Sequence, residues 1–457
     1  MTNSSQASAE VDKKYVLHPY TNLSGHKDIG PFTIVGGEGI YVDDDQGNRL
    51  IEAMSGLWCT SLGFSESRLV DAAMAQFKKL PYSHLFGHRS TQPAIELSER
   101  LVEIAPEGIS RAYLVNSGSE AVDSAIKMVW YYNNALDRPK KKKIISRKRA
   151  YHGVTVAAGS LTALPYVQDS FDLPAIDVLY CETPHYYRYG RDGESETEFT
   201  DRIVKELEQQ IIDANPDTVA AFFAEPVMGA GGVLIPPAGY FEKVQALLKK
   251  YDILFVADEV ICGFGRTGNM WGCDTYDIKP DMITCAKQLS SAYQPIGAVL
   301  VSEKMYSAFV SGSDKHGVFG TGNTYGGHPV ASAVALETLN IYRDDKTIEH
   351  VQSVSKTFLQ RLKEFGSHPL VGEARGVGLI GALEFVKDKS SKEQYPPADK
   401  VGVQVMNAAR THGLITRALP GDGVAICPPL IITEVEINEM FDRYKLAVDE
   451  VYANINA

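Results

Sequence analysis

From about Glu66 onward the chain alternates two hydrophobic rhythms. In one, apolar residues recur three or four positions apart; in the other, short apolar runs are nearly unbroken. The first rhythm predicts helices over Ser67 to Leu80, Ile95 to Ile104, Glu120 to Tyr132 and Phe241 to Lys250. The second predicts strands over Arg111 to Val115, Lys143 to Ser146, Thr218 to Ala224, Ile253 to Ala257, Met282 to Ala286 and Ile296 to Val301. Strands this uniformly apolar suit a parallel sheet covered on both faces. Two short apolar runs between Gly37 and Ile51, split by Asp45-Gln46-Gly47, predict a hairpin, whereas the polar residues 1 to about 14 predict a frayed end. A helix over Pro329 to Tyr342 leads into mixed helices and short strands (Leu379 to Phe385, Val424 to Ile426) separated by Gly/Pro turns. The expected division is therefore a large α/β domain over 61–328 and a small α+β domain over 329–457, which residues 1–60 join.

At 457 residues the chain can bury a large core, and 44% apolar with 22% charged residues excludes fibrous and disordered classes. Lys and Arg number 45 against 57 Asp and Glu, so the net charge of −12 argues against a nucleic-acid partner. The six cysteines show no C-x-x-C pair and no Cys/His spacing of a structural zinc site; they read as reduced, mostly buried thiols, and no metal is expected. With no apolar leader core and no stretch of membrane-spanning length, a soluble cytoplasmic protein is expected. The run Lys140 to Lys143 reads as a solvated loop.

Candidate chemistry collects at strand ends. Asn116-Ser117-Gly118-Ser119-Glu120 follows a strand and opens a helix, where free N–H groups suit a phosphate, although Ser119 also reads as an ordinary N-cap. Gly263-Phe264-Gly265-Arg266-Thr267-Gly268 matches the dinucleotide fingerprint in letters, but no helix opens within it, which rules that reading out. Asp258-Glu259 end one strand, Lys287 the next and Glu225 a third, while Tyr151-His152-Gly153 lie just beyond a fourth. In open α/β sheets such strand ends line the ligand crevice. A phosphate cup, a carboxylate and a lysine are what pyridoxal phosphate requires: an anion site, a partner for the protonated ring nitrogen, and an amine for the aldehyde.

The run Ala257-Asp258-Glu259-Val260, then Gly263 to Gly268, Pro280-Asp281 and Ala286-Lys287, resembles the class III (omega-type) pyridoxal-phosphate aminotransferases. Ser55-Gly56-Leu57-Trp58-Cys59, Ala224-Glu225-Pro226-Val227, Thr324-Tyr325-x-Gly327-His328-Pro329 and Arg375-Gly376-x-Gly378 fall in the same family order. Gly56-Leu57-Trp58, Val227 to Val233 and Leu414-Ile415-x-Arg417-Ala418 are most similar to the amine:pyruvate subgroup. The resemblance implies a fold-type I α/β enzyme with a mostly parallel central sheet, acting as a homodimer or dimer of dimers. Lys287 would carry the cofactor and move the proton between substrate and cofactor carbons, and Asp258 would bind the pyridine nitrogen. Tyr151 and Val260 would enclose the ring, with Glu225 near its hydroxyl and His152 beside it as a hydrogen-bonding residue. Ser117, Gly118 and Ser119 would hold the phosphate, joined by Thr324 from the partner subunit.

Tyr20, Trp58 and Phe86 would form aromatic walls, and Arg417 would be a mobile arginine for a substrate carboxylate, with Arg89 the second candidate. Outside the resemblance, Trp58 reads equally as a core residue, His328 as a turn residue and Arg417 as a surface arginine. Two departures stand out. Gln288 replaces the glycine usual after the lysine, and its β-carbon is expected to crowd the backbone near the cofactor; the segment Gly317 to Asn323 is longer than the family's lead into Thr-Tyr-x-Gly-His-Pro. The implied reaction is ping-pong transfer of an amino group from a primary amine or ω-amino acid to pyruvate, giving alanine and an aldehyde or ketone. An aminomutase or decarboxylase on the same fold, or a catalytically inactive cofactor-binding protein, would share much of this pattern.

Overall fold

The six apolar runs of the large domain and one further strand, Val178–Cys181, hydrogen-bond into one sheet in the computed structural model, which describes residues 3–456. Across the sheet the strands lie in the order Ile109–Val115, Gly297–Ser302, Met282–Cys285, Leu254–Asp258, Val219–Ala224, Lys143–Arg147, Val178–Cys181. Only Gly297–Ser302 runs against the rest, pairing antiparallel with both neighbours. The sheet is thus mostly parallel, with one reversed strand that the apolar pattern could not distinguish. Along Leu254–Asp258, Leu254 and Val256 join the core beneath helix Gly118–Ala135, while Phe255 and Ala257 face the core on the opposite side. Burial on both faces explains why the strand reads as continuous apolar text.

Register aligns the chemistry. Ala224 pairs with Ala257, and Asp258 pairs with Thr284, so Glu225, Asp258 and Lys287 leave the same edge of three adjacent strands. Gly297 pairs with Val115 next to the start of the helix Gly118–Ala135; a β-carbon there would come 2.9 Å from the Ser117 carbonyl oxygen.

A second core forms from the C-terminal part and the N-terminal strands. Val351, Phe358, Leu383, Phe441 and Tyr444 pack with Ile40, Ile51 and Ala53. Leu414–Ile415 adds in parallel to Arg49–Glu52, completing a four-stranded sheet with Ile34–Glu38 and Tyr41–Asp44. A separate antiparallel sheet runs Val371–Val377, Ile380–Phe385, Gly423–Ile426, Arg417–Leu419. Helix Pro329–Asp344 does not belong to this core: Val334, Leu339 and Tyr342 pack under the large sheet, and the second core begins with helix Thr347–Glu364.

Two local expectations are corrected. The polar N-terminus is a helix, Asn3–Tyr15, tied down where Asp12 meets His18 and His26. The lysine run is not a solvated loop. Lys141 donates to the Tyr251 carbonyl (3.1 Å), Lys142 to that of Trp130 (3.0 Å) and Lys143 to that of Ala214 (2.9 Å). Lys141 and Lys143 thus meet the C-caps of two helices, where unpaired carbonyls and the helix dipole favour a cation, while Lys142 reaches into the last two turns of helix Gly118–Ala135, where it also bonds the Asn134 side chain (2.6 Å). No described helix is long and apolar enough to cross a membrane.

Candidate active site

At the aligned strand edge a cavity of about 340 Å³ opens between the two cores. Its floor carries Lys287, Asp258, Glu225 and His152; its far end is the turn Ser117-Gly118-Ser119. Ser117, not Ser119, caps the helix, accepting from the Glu120 N–H at 3.2 Å, while the Ser119 hydroxyl accepts from Val154 N–H at 3.1 Å. The N–H groups of Gly118 and Ser119 open an 18-residue helix and have no intrahelical acceptor. A β-carbon at Gly118 would press to 2.9 Å from a Val260 methyl, so glycine lets this turn lie flat against Val260.

Lys287 is half-buried, in a left-handed backbone conformation, φ +48°, which a non-glycine residue adopts at a cost that its surroundings must offset. The constraint is visible: the Gln288 amide donates to the carbonyls of Ile261 (2.8 Å) and Gly263 (2.9 Å), and Tyr342 donates to the Gln288 carbonyl at 2.7 Å. Gln288 therefore does not crowd the cavity. Its side chain turns into the core and ties the lysine turn to the loop that bears Val260. Burial holds the Lys287 ammonium below its ordinary range, against the pull of Cys59, Asp258 and Glu225. Its amine makes no hydrogen bond among the described residues.

Asp258 is almost fully buried, with one oxygen accepting from Val260 N–H at 3.1 Å and the other 2.7 Å from His152 Nδ1. With the proton on Nδ1, His152 orients the carboxylate, leaving its own buried Nε2 without a partner. Glu225 accepts from the N–H groups of Tyr151 (3.1 Å) and Gly229 (3.0 Å), and burial raises its carboxyl.

The walls are aromatic. Tyr20, Trp58, Tyr151 and Tyr166 all line the cavity; the Tyr20 hydroxyl lies 3.4 Å from that of Tyr151 and the Tyr20 ring meets Tyr166 edge-on. Trp58 is buried and yet faces the cavity, so the core and pocket readings of it meet. Arg417 also lines the cavity, and its guanidinium has no hydrogen bond or ion pair among the described residues. It stands on a strand, paired with Ala425, rather than in the following Pro/Gly turn, so its side chain, not its backbone, is free to swing.

Tyr166, Leu57, Pro19, Ala230 and Ile261 line the cavity without having been singled out. Leu57 and Ile261 lay inside motifs that pointed here. Tyr166 sits in a four-residue helix too short to show periodicity.

Phe86, Arg89 and Thr324 do not line the cavity of the single chain. Phe86 is half exposed beside Gly322, Arg89 contacts His84, and the Thr324 carbonyl accepts from the Tyr82 hydroxyl at 2.9 Å. His328 is a turn residue, accepting from Val330 N–H as cap of the helix Pro329–Asp344.

Beneath Trp58, Glu52 accepts from Met54 N–H at 2.9 Å, and burial pushes its carboxyl up from 4.5 to about 7. The folded state therefore holds the proton more tightly than the unfolded chain. Stabilisation by the protonated acid is complete below 4.5 and is lost as pH rises through about 7. Glu52→Gln keeps the acceptor and removes the titration, so thermal denaturation of the variant should fall less with rising pH, by roughly 3 kcal/mol over this window. Parallel pH profiles for the two proteins would contradict this.

Comparison with known families decides the wider assignment: the profile for "Aminotransferase class-III" matches residues 24–448. The chain belongs to the class-III aminotransferases. This aminotransferase is 49% identical to gamma aminobutyrate transaminase 1, mitochondrial, of Solanum lycopersicum over 95% of its own length and 84% of the relative's. It is 47% identical to vanillin aminotransferase of Capsicum annuum, covering 95% of both chains. Among solved structures, the omega transaminase of Pseudomonas jessenii in complex with PMP superposes with a TM-score of 0.97 at 51% identity, covering 98% of this chain and 99% of that one. Class-III aminotransferases are fold-type I enzymes that use pyridoxal phosphate. The cavity of this aminotransferase fits the group: a helix N-terminus for the phosphate, a buried carboxylate braced by His152 and, on the same floor, a half-buried lysine amine without a partner among the described residues.

Proposed function

We propose that this class-III aminotransferase moves the amino group of a primary amine or ω-amino acid to pyruvate by a ping-pong mechanism, releasing alanine and an aldehyde or ketone. The observation that carries the reading is Arg417, an unpaired guanidinium sharing an aromatic-walled cavity with Lys287. A free arginine there suits a small keto acid's carboxylate, while the rings suit an apolar donor. Relatives named for γ-aminobutyrate, vanillin and omega transamination support the same range.

When bound, pyridoxal phosphate supplies an aldehyde for the amine and a ring that takes up the electron pair released at the substrate carbon. The protein's part is positional and electrostatic. Gly118 and Ser119 would direct N–H groups at the phosphate, with Ser117 fixing the turn. Asp258, oriented by His152, would keep the ring nitrogen protonated, and Glu225 would serve the ring hydroxyl. Tyr151 and Val260 would enclose the ring. Lys287 would hold the aldehyde and then carry a proton to and from the substrate carbon. Burial favours its neutral amine, the form this step needs.

The exposed aromatic surface formed by Tyr82, Phe86 and Tyr325 supports a homodimer. Thr324 and Phe86 belong to this surface and would complete the cavity of a second copy, with Arg89 close by.

A panel of amines incubated with pyruvate and scored for alanine tests the reading. Formation of glutamate from 2-oxoglutarate, with no alanine from any donor, would overturn it. Arg417→Ala should slow the pyruvate half-reaction by about two powers of ten, roughly 3 kcal/mol for a lost charge-assisted pair, and leave the half-reaction of an apolar amine nearly unchanged. Stopped-flow absorbance separates the two; equal losses in both would make Arg417 structural.

A further inference from the structure

Outside the cavity, one cluster of ligating side chains is open to solvent and has no part in the chemistry above. Asp12 lies in the last turn of helix Asn3–Tyr15, His18 in the linker that brings Pro19 and Tyr20 to the cavity wall, and His26 in helix Leu23–Ile29. The three converge. His18 Nε2 is 2.9 Å from Asp12 Oδ1 and 3.1 Å from Oδ2, and His26 Nε2 is 3.0 Å from the same Oδ1. The imidazole rings lie 4.3 Å apart between centroids, and the three ligand atoms fall within 4.8 Å of one another.

The geometry points to a binding site for a divalent transition-metal ion of the zinc type, held by Asp12, His18 and His26 with water completing the shell. Two imidazole nitrogens and one carboxylate oxygen are a donor set that selects zinc-like ions over magnesium or calcium. Tetrahedral bonds of about 2.0–2.1 Å set neighbouring ligand atoms about 3.3 Å apart, so each histidine nitrogen needs to move only a few tenths of an ångström away from Asp12 Oδ1. Each histidine would bind through Nε2 as its neutral Nδ1–H tautomer, giving up the hydrogen bond to Asp12. Side-chain exposures of 28% for His18, 21% for Asp12 and 12% for His26 leave a face for water and for the ion's approach.

An ion here would lock three successive pieces of the N-terminal segment. Tyr20, two residues after His18, reaches the Tyr151 hydroxyl across the cavity, so occupancy would stiffen one wall of the substrate site. The spacing Asp-x5-His-x7-His follows no common metal motif, and the site arises only when the two short helices fold together. The inference is independent of which acceptor the enzyme uses.

Cobalt(II) titration of the chelator-treated holoenzyme tests it, since a low-symmetry site of this kind gives visible d–d bands. The expected result is a saturable band at a single ion per chain, displaced by zinc and lost in His18→Ala and in His26→Ala. Both variants should retain the cofactor's absorbance as a check of folding. Zinc should also slow hydrogen exchange across residues 15–26 in the wild-type protein only. Absence of the band, or a band that persists in both variants, would overturn the site and leave the cluster a hydrogen-bonded triad.

Discussion

Replacing Lys287 with alanine is expected to abolish turnover and, with it, covalent retention of pyridoxal phosphate after borohydride reduction. Two functions are lost together. The residue would supply the amine that holds the aldehyde, and among the described residues it is the only lysine lining the cavity, so no neighbour stands ready to take over proton transfer at the substrate carbon. Proton transfer alone is worth roughly two to four powers of ten, and loss of the nucleophile adds to this. Folding should not suffer, because the half-buried Lys287 has no hydrogen-bonding partner among the described residues and its removal relieves desolvation of the ammonium. A variant that is as stable as the wild type and inactive fits this account; cofactor trapped on a different lysine refutes it.

Asp258→Asn is expected to cost several powers of ten in both half-reactions, on the order of 4 kcal/mol or more. The substitution separates charge from shape. Asparagine's oxygen can still accept from Val260 N–H, and His152 can switch tautomer to meet the amide. What disappears is the negative charge that would keep the ring nitrogen protonated, in a site where burial makes it strong. Single-turnover absorbance changes measure the loss, and near-normal rates would remove Asp258 from that role.

Much of this site was readable before folding because its residues follow strands. Asp258, Lys287, Glu225 and the Ser117 turn each sit just past an apolar run, and in a parallel sheet that position decides the edge to which a side chain is delivered. The pattern could not foresee features created between distant segments. Gln288 looked like an obstruction beside the lysine, yet its amide reaches two carbonyls in the loop Ile261–Gly263 and braces the turn. The lysines at 141 to 143 carry no local sign that each will bond a carbonyl of a different helix or helix cap. The reversed strand Gly297–Ser302 has the same buried composition as its parallel neighbours, so its direction was not legible. Phe86, Arg89 and Thr324 were grouped with the pocket by the family resemblance alone, and one chain does not bring them there.

In the proposed reaction one cavity takes nitrogen from an amine and gives it to pyruvate, with Lys287 moving the protons. Following an isotopically labelled amine nitrogen in the presence of unlabelled pyruvate tests it most directly, with the Lys287→Ala protein run alongside. The account predicts label in alanine, in amounts matching the carbonyl product, and none with the variant. Label recovered as ammonia, or amine consumed without loss of pyruvate, would contradict it.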